Sequence, residues 1–161
     1  MCELLGMNAS TPTDVMFSFT GLACRAAEHK DGFGIAFFED RGLRHFIDPV
    51  SAVHSPIAEL TATLAELVPR VAAHGTFNFM LSNGQALWAH CSTKLHYLVR
   101  QHPFQAAHLQ DEDMSVDFAR VTTPADRVAV VVTEPLTANE AWVPFAPGEI
   151  KVFVDGLPVG P

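Results

Sequence analysis

The spacing of hydrophobic residues changes along this chain, and each change marks a new predicted element. An apolar run over residues 2–8 ends in Asn-Ala-Ser-Thr-Pro, which predicts a strand followed by a turn. Apolar positions then recur at helical spacing over residues 15–27, which predicts a helix. Residues 32–38 form a dense apolar run, so we expect a strand there. A turn centred on Gly42 would join that strand to a hairpin partner over residues 44–47.

A second helical pattern begins at Pro56, because proline favours the first turn of a helix. We expect this helix to run to residue 73, although Pro69 lies late in the pattern, where proline kinks or ends a helix. Its apolar positions are Ile57, Leu60, Leu64, Leu67, Val68 and Val71.

After Gly75 the spacing changes to that of strands. The predicted strands are residues 77–81, 86–90, 95–100, 116–118, 128–133 and 150–154. The valine run within 128–133 is typical of a strand buried on both faces. Asn83-Gly84 predicts a type I′ hairpin turn, and the residues after 154 are a Gly/Pro-rich tail. Many antiparallel strands with two helices on the faces of sheets indicate an α+β fold.

Composition limits the class of protein. The chain has 161 residues, of which 48% are hydrophobic and 17% are charged, so we expect a single globular domain over residues 1–161. Its net charge of −8 argues against nucleic acid and anionic membrane surfaces as partners. No signal peptide and no apolar run of about 20 residues is visible, which favours a cytoplasmic protein.

The chemistry-bearing residues exclude several kinds of site. The three cysteines, Cys2, Cys24 and Cys91, have no paired spacing, so they predict thiols in a reducing compartment, with Cys24 and Cys91 buried. The eight histidines are scattered, so no metal site is expected, and only His29 is retained as a neighbour of an active site. No phosphate loop, dinucleotide fingerprint or serine elbow is present, so no cofactor is expected.

The second residue carries the strongest chemical signal. Removal of Met1 would make Cys2 the N-terminus, and one residue would then carry both a thiol and a free α-amino group. The amine can take the proton of the thiol directly or through one water, so the residue is a complete nucleophile–base pair.

The chain resembles the class II glutamine amidotransferases, specifically the small stand-alone group that begins Met-Cys-Glu-Leu-Leu-Gly-Met. The stretches that carry this resemblance are residues 2–8, 17–22, 29–37, 55–58, 77–81, 91–96, 122–124 and 133–137, in family order. The resemblance implies an N-terminal-nucleophile hydrolase fold, a four-layer αββα sandwich, here shortened. It also implies a small-molecule substrate, glutamine or a γ-glutamyl amide, which loses ammonia through a thioester.

Residue roles follow from the same resemblance. It implies that Cys2 is the nucleophile and that Arg25 lies near it. Asp31, Gly32, Phe33 and Gly34 match the strand that lines the family's site. Thr133 and Glu134 match a wall of the same region.

The chain departs from the family pattern near residues 57–62, where a large central block is absent. In the family that block recognises the carboxylate and amino group of the substrate and supplies oxyanion donors. Asn83-Gly84 does not replace those donors, because a hairpin turn explains it better. Two hypotheses therefore stand, an N-terminal-cysteine amidohydrolase and a non-catalytic binding module or scaffold of the same fold. The deletion should expose a sheet edge or apolar surface, which predicts a homo-oligomer or poor solubility.

Overall fold

The computed structural model describes residues 4–11, 17–18, 37–39, 42–44 and 56–160, with the backbone alone for 37–39 and 42–44. Phe17 and Ser18 are helical. The other elements, in chain order, are β1 (Leu5–Ala9), β2 (Phe37–Glu39), β3 (Gly42–Arg44), α1 (Ile57–Ala72), β4 (Phe79–Ser82), β5 (Ala86–His90), β6 (His96–Gln101), β7 (Ala106–His108), β8 (Ser115–Asp117), a 3₁₀ turn (Phe118–Arg120), β9 (Arg127–Val132), β10 (Val143–Pro144), β11 (Ile150–Val154) and β12 (Leu157–Val159).

Two four-stranded antiparallel sheets form the centre of the described structure. The first sheet has the order β1-β9-β6-β10, and the second has the order β12-β11-β5-β4. In the first sheet, β9 lies between β1 and β6, with Leu5 opposite Val132 on one side and His96 opposite Val132 on the other. Two short hairpins, β2–β3 and β7–β8, are separate from these sheets.

The two sheets pack face to face because alternate residues of their strands are apolar. The core between them is formed by Leu87, Ala89, Cys91, Leu95, Ala129, Val131, Phe145 and Phe153. On β9, Val128, Val130 and Val132 belong instead to a second cluster, which also contains Phe17. Both faces of β9 are therefore buried, as the valine run predicts.

Helix α1 packs against the face of the second sheet that points away from the first. Leu64 contacts a cluster that includes Trp88 and Val152. Trp88 is fully buried, and its indole Nε1 donates a hydrogen bond to Thr61 Oγ1 of α1 at 2.8 Å. The polar atom of this large side chain is thus satisfied, and the bond fixes α1 on the sheet. The described layers are helix, sheet and sheet, which confirms a mixed fold of helices and antiparallel sheets.

The strands agree with the sequence pattern more closely than the turns do. Ala86–His90 and Ile150–Val154 have the predicted bounds, and four other predicted strands are displaced by one or two residues. The pattern missed three short strands, β7, β10 and β12. The expected tail is wrong from Leu157 to Val159, because Asp155 and Gly156 have φ of 50° and 77° and reverse the chain into β12.

Two predicted turns are also wrong in detail. The turn after β4 is not type I′, because Gly84 has φ of 84° but Asn83 does not have positive φ. Instead the side chain of Asn83 accepts hydrogen bonds from the backbone N–H of Gln85 and Ala86, at 3.0 and 2.9 Å. The first hairpin is confirmed, but Gly42 pairs with Glu39 and therefore belongs to a strand, not to the centre of a turn.

Pro69 does not end the second predicted helix. Helix α1 continues through it to Ala72, and Ala73 N–H donates to the Pro69 carbonyl at 3.2 Å. Leu64 packs against the sheet and Val68, the residue before Pro69, is buried, so tertiary packing overrides the local preference. Of the first predicted helix, residues 15–27, only Phe17 and Ser18 lie within the described residues.

Strand β1 approaches the second sheet closely at Gly6. A Cβ atom at this position would lie 2.5 Å from Met80 Sδ and 3.1 Å from Leu87 Cδ2. Two residues further along the strand, Asn8 Oδ1 accepts a hydrogen bond from Gly156 N–H at 2.7 Å, which joins β1 to the β11–β12 turn. The N-terminal strand is part of the first sheet and therefore also packs closely against the second.

Candidate functional site

The candidate site lies where β1 begins, at the edge of the first sheet. Thr133 N–H donates to the Leu4 carbonyl at 3.3 Å, and Leu4 N–H donates to Thr133 Oγ1 at 3.4 Å. Thr133 is buried, at 2% exposure. Leu4 follows Cys2 by two residues, so covalent geometry alone keeps the Cα atoms of the two within about 7 Å. Of the residues implied by the resemblance, Thr133 therefore lies nearest to this end of the chain in the described structure.

His96 belongs to the same region, and the sequence analysis missed it. Its Nδ1 lies 3.0 Å from the Thr133 carbonyl oxygen. Because a carbonyl oxygen only accepts, Nδ1 must carry the hydrogen, and in the neutral ring Nε2 is then the acceptor. The sequence contained only an indirect signal that His96 belongs to this site. His96 ends the stretch 91–96, and Thr133 opens the stretch 133–137, but a single sequence does not reveal that the two strands are neighbours.

An ion pair borders Thr133. Lys94 Nζ pairs with Glu134 Oε1, and the two side chains are 47% and 35% exposed. The turn that carries Lys94 is held by Asn78, whose Oδ1 accepts from Ser92 N–H at 2.8 Å and whose Nδ2 donates to the Lys94 carbonyl at 3.2 Å. The backbone that presents Lys94 is thus fixed, and its charge meets the carboxylate of Glu134.

The loop that follows Glu134 is anchored by a buried ion pair. Arg100 on β6 donates from Nε and NH2 to the two carboxylate oxygens of Glu140, both at 2.7 Å. Its NH1 also reaches Ser18 Oγ at 3.4 Å, and its guanidinium lies 4.5 Å from the ring centroid of Phe118. Thr137 donates its hydroxyl to Glu140 Oε2 at 2.7 Å. One guanidinium therefore joins β6, this loop and the helical residue Ser18.

Most of the implied site residues lie outside the described residues. These are Cys2, Arg25, His29, Asp31, Gly32, Phe33 and Gly34. The structure brings together Thr133 and Glu134, which the resemblance implied, with Lys94 and His96, which it did not.

Other titratable groups have structural surroundings. Cys91 is fully buried, as predicted, and burial raises the pKa of its thiol. Cys24 lies outside the described residues. His90 is buried against the rings of Phe77 and Phe79, and burial lowers its pKa, with a partial offset from its bond to the Phe77 carbonyl.

The described residues contain neither a group of metal ligands nor a membrane-spanning helix. Within residues 4–11, 17–18 and 56–160, no three His, Cys, Asp or Glu side chains are grouped in a way that could hold a metal ion. No helix in the described part of the chain is long and apolar enough to cross a membrane.

Comparison with known proteins identifies the family. The family model for class-II glutamine amidotransferases matches residues 1–63 and 58–160. YafJ of Escherichia coli (strain K12), a glutamine amidotransferase by name, is 31% identical over 251 residues, which cover 97% of this chain and 98% of YafJ. A Haemophilus influenzae (strain ATCC 51907 / DSM 11121 / KW20 / Rd) protein named in the same way is 30% identical over 250 residues, which cover 97% of this chain and 85% of that protein.

A solved structure supports the same family assignment. The 2.0 Å crystal structure of a predicted glutamine amidotransferase from Pseudomonas aeruginosa PA01 is 28% identical, with a TM-score of 0.58. The match covers 99% of this chain but 60% of that solved chain. The family model and both relatives extend over nearly the whole sequence, and the two parts of the family match include β1 and Thr133. The chain belongs to the class-II glutamine amidotransferases.

Proposed function

We propose that this chain is an N-terminal-cysteine amidohydrolase, which releases ammonia from glutamine or a γ-glutamyl amide through a thioester on Cys2. The observation that carries the proposal is the pairing of Leu4 with Thr133, at 3.3 and 3.4 Å. This pairing holds the chain two residues from Cys2 beside Thr133, Glu134 and His96. Polar groups and a half-exposed ion pair thus lie where a nucleophile at the N-terminus could meet a small polar substrate.

The reaction needs only the groups that Cys2 supplies and a water molecule. The α-amine takes the thiol proton, and the thiolate attacks the side-chain amide carbon of the substrate. The carbon–nitrogen bond breaks, and the amine returns the proton to the leaving nitrogen, which departs as ammonia. Water then adds to the thioester and the carbon–sulfur bond breaks, and one proton of the water passes to the sulfur, which regenerates the thiol. The carboxylic acid product loses its proton to solvent and leaves as a carboxylate. No cofactor or metal takes part in this scheme.

The proposal includes an internal truncation of a single domain near residues 57–62. The alignment with YafJ extends over 251 residues, whereas this chain has 161. The family match also falls into two parts that overlap at residues 58–63, within the first turns of α1. Both observations support a missing central block. Loss of one oxyanion donor typically slows an enzyme by about 10²–10³-fold, so we expect slow turnover.

We also propose that the fold is a shortened αββα sandwich and that the protein is cytoplasmic. Helix α1 on one sheet and Phe17 on the outer face of the other are the arrangement expected of a shortened αββα sandwich of the N-terminal-nucleophile hydrolases. Buried, unpaired Cys91 is consistent with a cytoplasmic, reducing location.

Ammonia release from glutamine tests the proposal directly. Protein whose Met1 has been removed, as verified by intact mass, should release ammonia, and Cys2→Ala should reduce the rate to background. Cys91→Ala is the matched control, because it removes a fully buried thiol that solvent and substrate do not reach, and it should leave the rate unchanged. Equal rates for the parent and Cys2→Ala would refute the proposal.

A second candidate function is a non-catalytic binding module of the same fold. The length difference from YafJ favours it, because the missing block would include the residues that bind glutamine in relatives. A glutamine-mimicking electrophile separates the two candidates. Rapid labelling of Cys2 that excess glutamine blocks would support the enzyme. Slow labelling that glutamine does not affect would support the binding module.

A further inference from the structure

We propose that Asn83 is a site of slow, non-enzymatic modification, at which the side-chain amide is lost as ammonia, and that the hydroxyl of Ser82 limits the rate of this loss in the folded protein. The products carry aspartate or isoaspartate at position 83. The reaction uses neither Cys2 nor the candidate site, so the inference is independent of the proposed function.

The chemistry follows from the order of the two residues Asn83 and Gly84. The backbone nitrogen of Gly84 attacks Cγ of Asn83 and closes a five-membered succinimide ring, an intramolecular step that proximity favours. The bond between Cγ and Nδ2 breaks, and the hydrogen of the attacking nitrogen leaves with Nδ2 as ammonia. Water then adds to one ring carbonyl and one carbon–nitrogen bond of the ring breaks, which gives aspartate or isoaspartate. Glycine favours the attack because it has no side chain that crowds its nitrogen.

The turn between β4 and β5 holds both reacting groups. Gly84 N–H donates to Ser82 Oγ at 3.2 Å, and that hydroxyl donates to the Ala86 carbonyl at 2.7 Å. The attacking nitrogen must give up its hydrogen, so a bond that this N–H donates stabilises the unreactive form. Asn83 Oδ1 accepts from the backbone N–H of Gln85 and Ala86, at 3.0 and 2.9 Å. These bonds hold the carboxamide, whereas ring closure requires its carbon to move toward Gly84.

Burial adds to this protection. Asn83 is 4% exposed, although Gly84 beside it is exposed. Ser82 ends β4 and Ala86 begins β5, so all of these bonds lie at one end of a single hairpin. Opening of that end alone frees the nitrogen and the amide, and such local openings need less free energy than global unfolding. We therefore expect modification to proceed through local opening, at a rate that depends on the Ser82 hydroxyl.

A second turn provides an internal reference. Asp155-Gly156 can close the same ring with loss of water, which converts the aspartate to isoaspartate. Gly156 N–H donates to Asn8 Oδ1 at 2.7 Å. The two glycine nitrogens are thus held by side chains of different strands, Ser82 on β4 and Asn8 on β1. Each nitrogen can therefore be released by mutation without releasing the other.

Peptide mapping by chromatography and mass spectrometry, during incubation of the folded protein at neutral pH, measures both sites in one sample. Ser82→Ala should accelerate modification of Asn83 by about five- to tenfold, the change expected from loss of one hydrogen bond. Ser82→Thr keeps a hydroxyl and should restore the parent rate. Conversion of Asp155 should be unchanged in Ser82→Ala, whereas a general loss of stability would accelerate both sites. Asn8→Ala is the matched control, because it should accelerate Asp155 alone.

Several outcomes would overturn the inference. Equal rates at Asn83 for the parent and Ser82→Ala would do so, as would equal acceleration of both sites in that variant. A folded parent that reacts as fast as protein unfolded in guanidinium chloride would show that the turn gives no protection, and absence of the products even in unfolded protein would remove the site. The ammonia also separates this reaction from the proposed function. Modification releases ammonia only once per chain and continues in Cys2→Ala, whereas the proposed enzyme turns over repeatedly and needs Cys2.

Discussion

Replacing Gly156 by alanine should destabilise this protein far more than the same replacement at Gly148. Both glycines have left-handed backbone conformations, with φ of 77° and 83°. A Cβ atom at Gly148 would have no heavy atom within 4 Å. At Gly156 it would lie 2.4 Å from the Arg127 carbonyl oxygen and 2.5 Å from the Arg127 carbonyl carbon. These are backbone atoms at the start of β9, so no side-chain rotation can relieve the overlap.

The expected magnitude has three parts. The left-handed conformation costs an alanine about 1 kcal/mol, and this cost applies to both variants. The overlap with Arg127 should add about 1–3 kcal/mol at Gly156, the usual cost of overpacking. If the turn moves away, the 2.7 Å bond from Gly156 N–H to Asn8 Oδ1 is lost, at about 1 kcal/mol. We therefore expect a loss of about 1 kcal/mol for Gly148→Ala and about 3–5 kcal/mol for Gly156→Ala.

Urea unfolding followed by tryptophan fluorescence measures the difference, because Trp88 is fully buried in the folded state. The free energy of unfolding should decrease by at least about 2 kcal/mol more for Gly156→Ala than for Gly148→Ala, with similar dependence on urea concentration. Equal losses would show that backbone strain alone acts at Gly156. The close packing of this turn against β9 would then be refuted as a source of stability.

Three further predictions concern charge and assembly. Arg100→Met should decrease the free energy of unfolding by about 3–5 kcal/mol because it leaves the carboxylate of Glu140 buried without its partner. Arg100→Met combined with Glu140→Leu should recover much of that loss in thermal unfolding, and an equal loss in both proteins would contradict it. Burial lowers the pKa of His90 below the unfolded value of 6.5, so the unfolded chain binds more protons below that pH. Stability should therefore fall as the pH decreases from 6.5 toward the lowered folded pKa, by at most about 1.4 kcal/mol per pH unit, and less steeply in His90→Gln. An unchanged slope in that variant would assign the effect to other groups. The proposed truncation should leave apolar surface exposed, so size-exclusion chromatography should show an oligomer, and a well-behaved monomer would count against this expectation.

Much of the sheet architecture could be predicted from the sequence because it depends on local alternation. The valine run of β9 indicated a strand buried on both faces, and β5 and β11 have the expected bounds. The turns were harder, since Asp155-Gly156 and Asn83-Gly84 contain similar residues. The first forms a turn with two positive φ angles, whereas the second is closed by the side chain of Asn83.

The candidate site was only partly predictable because its members come from distant parts of the chain. Thr133 and Glu134 were implied by a family resemblance, not by any local pattern. His96 and Lys94 join them through the pairing of β6 with β9 and through an ion pair between residues forty positions apart. Such contacts depend on tertiary structure, which periodicity in a single sequence does not encode.

The tight fit of Gly6 has a practical consequence for handling this protein. A slip of β1 by one residue would put Leu5 or Met7 where a single added carbon already lies 2.5 Å from Met80 Sδ. Extra residues left by an affinity tag therefore cannot be absorbed by sliding the strand. The proposed function also requires a free α-amino group on Cys2, so fusion proteins should be built so that cleavage leaves Cys2 as the first residue.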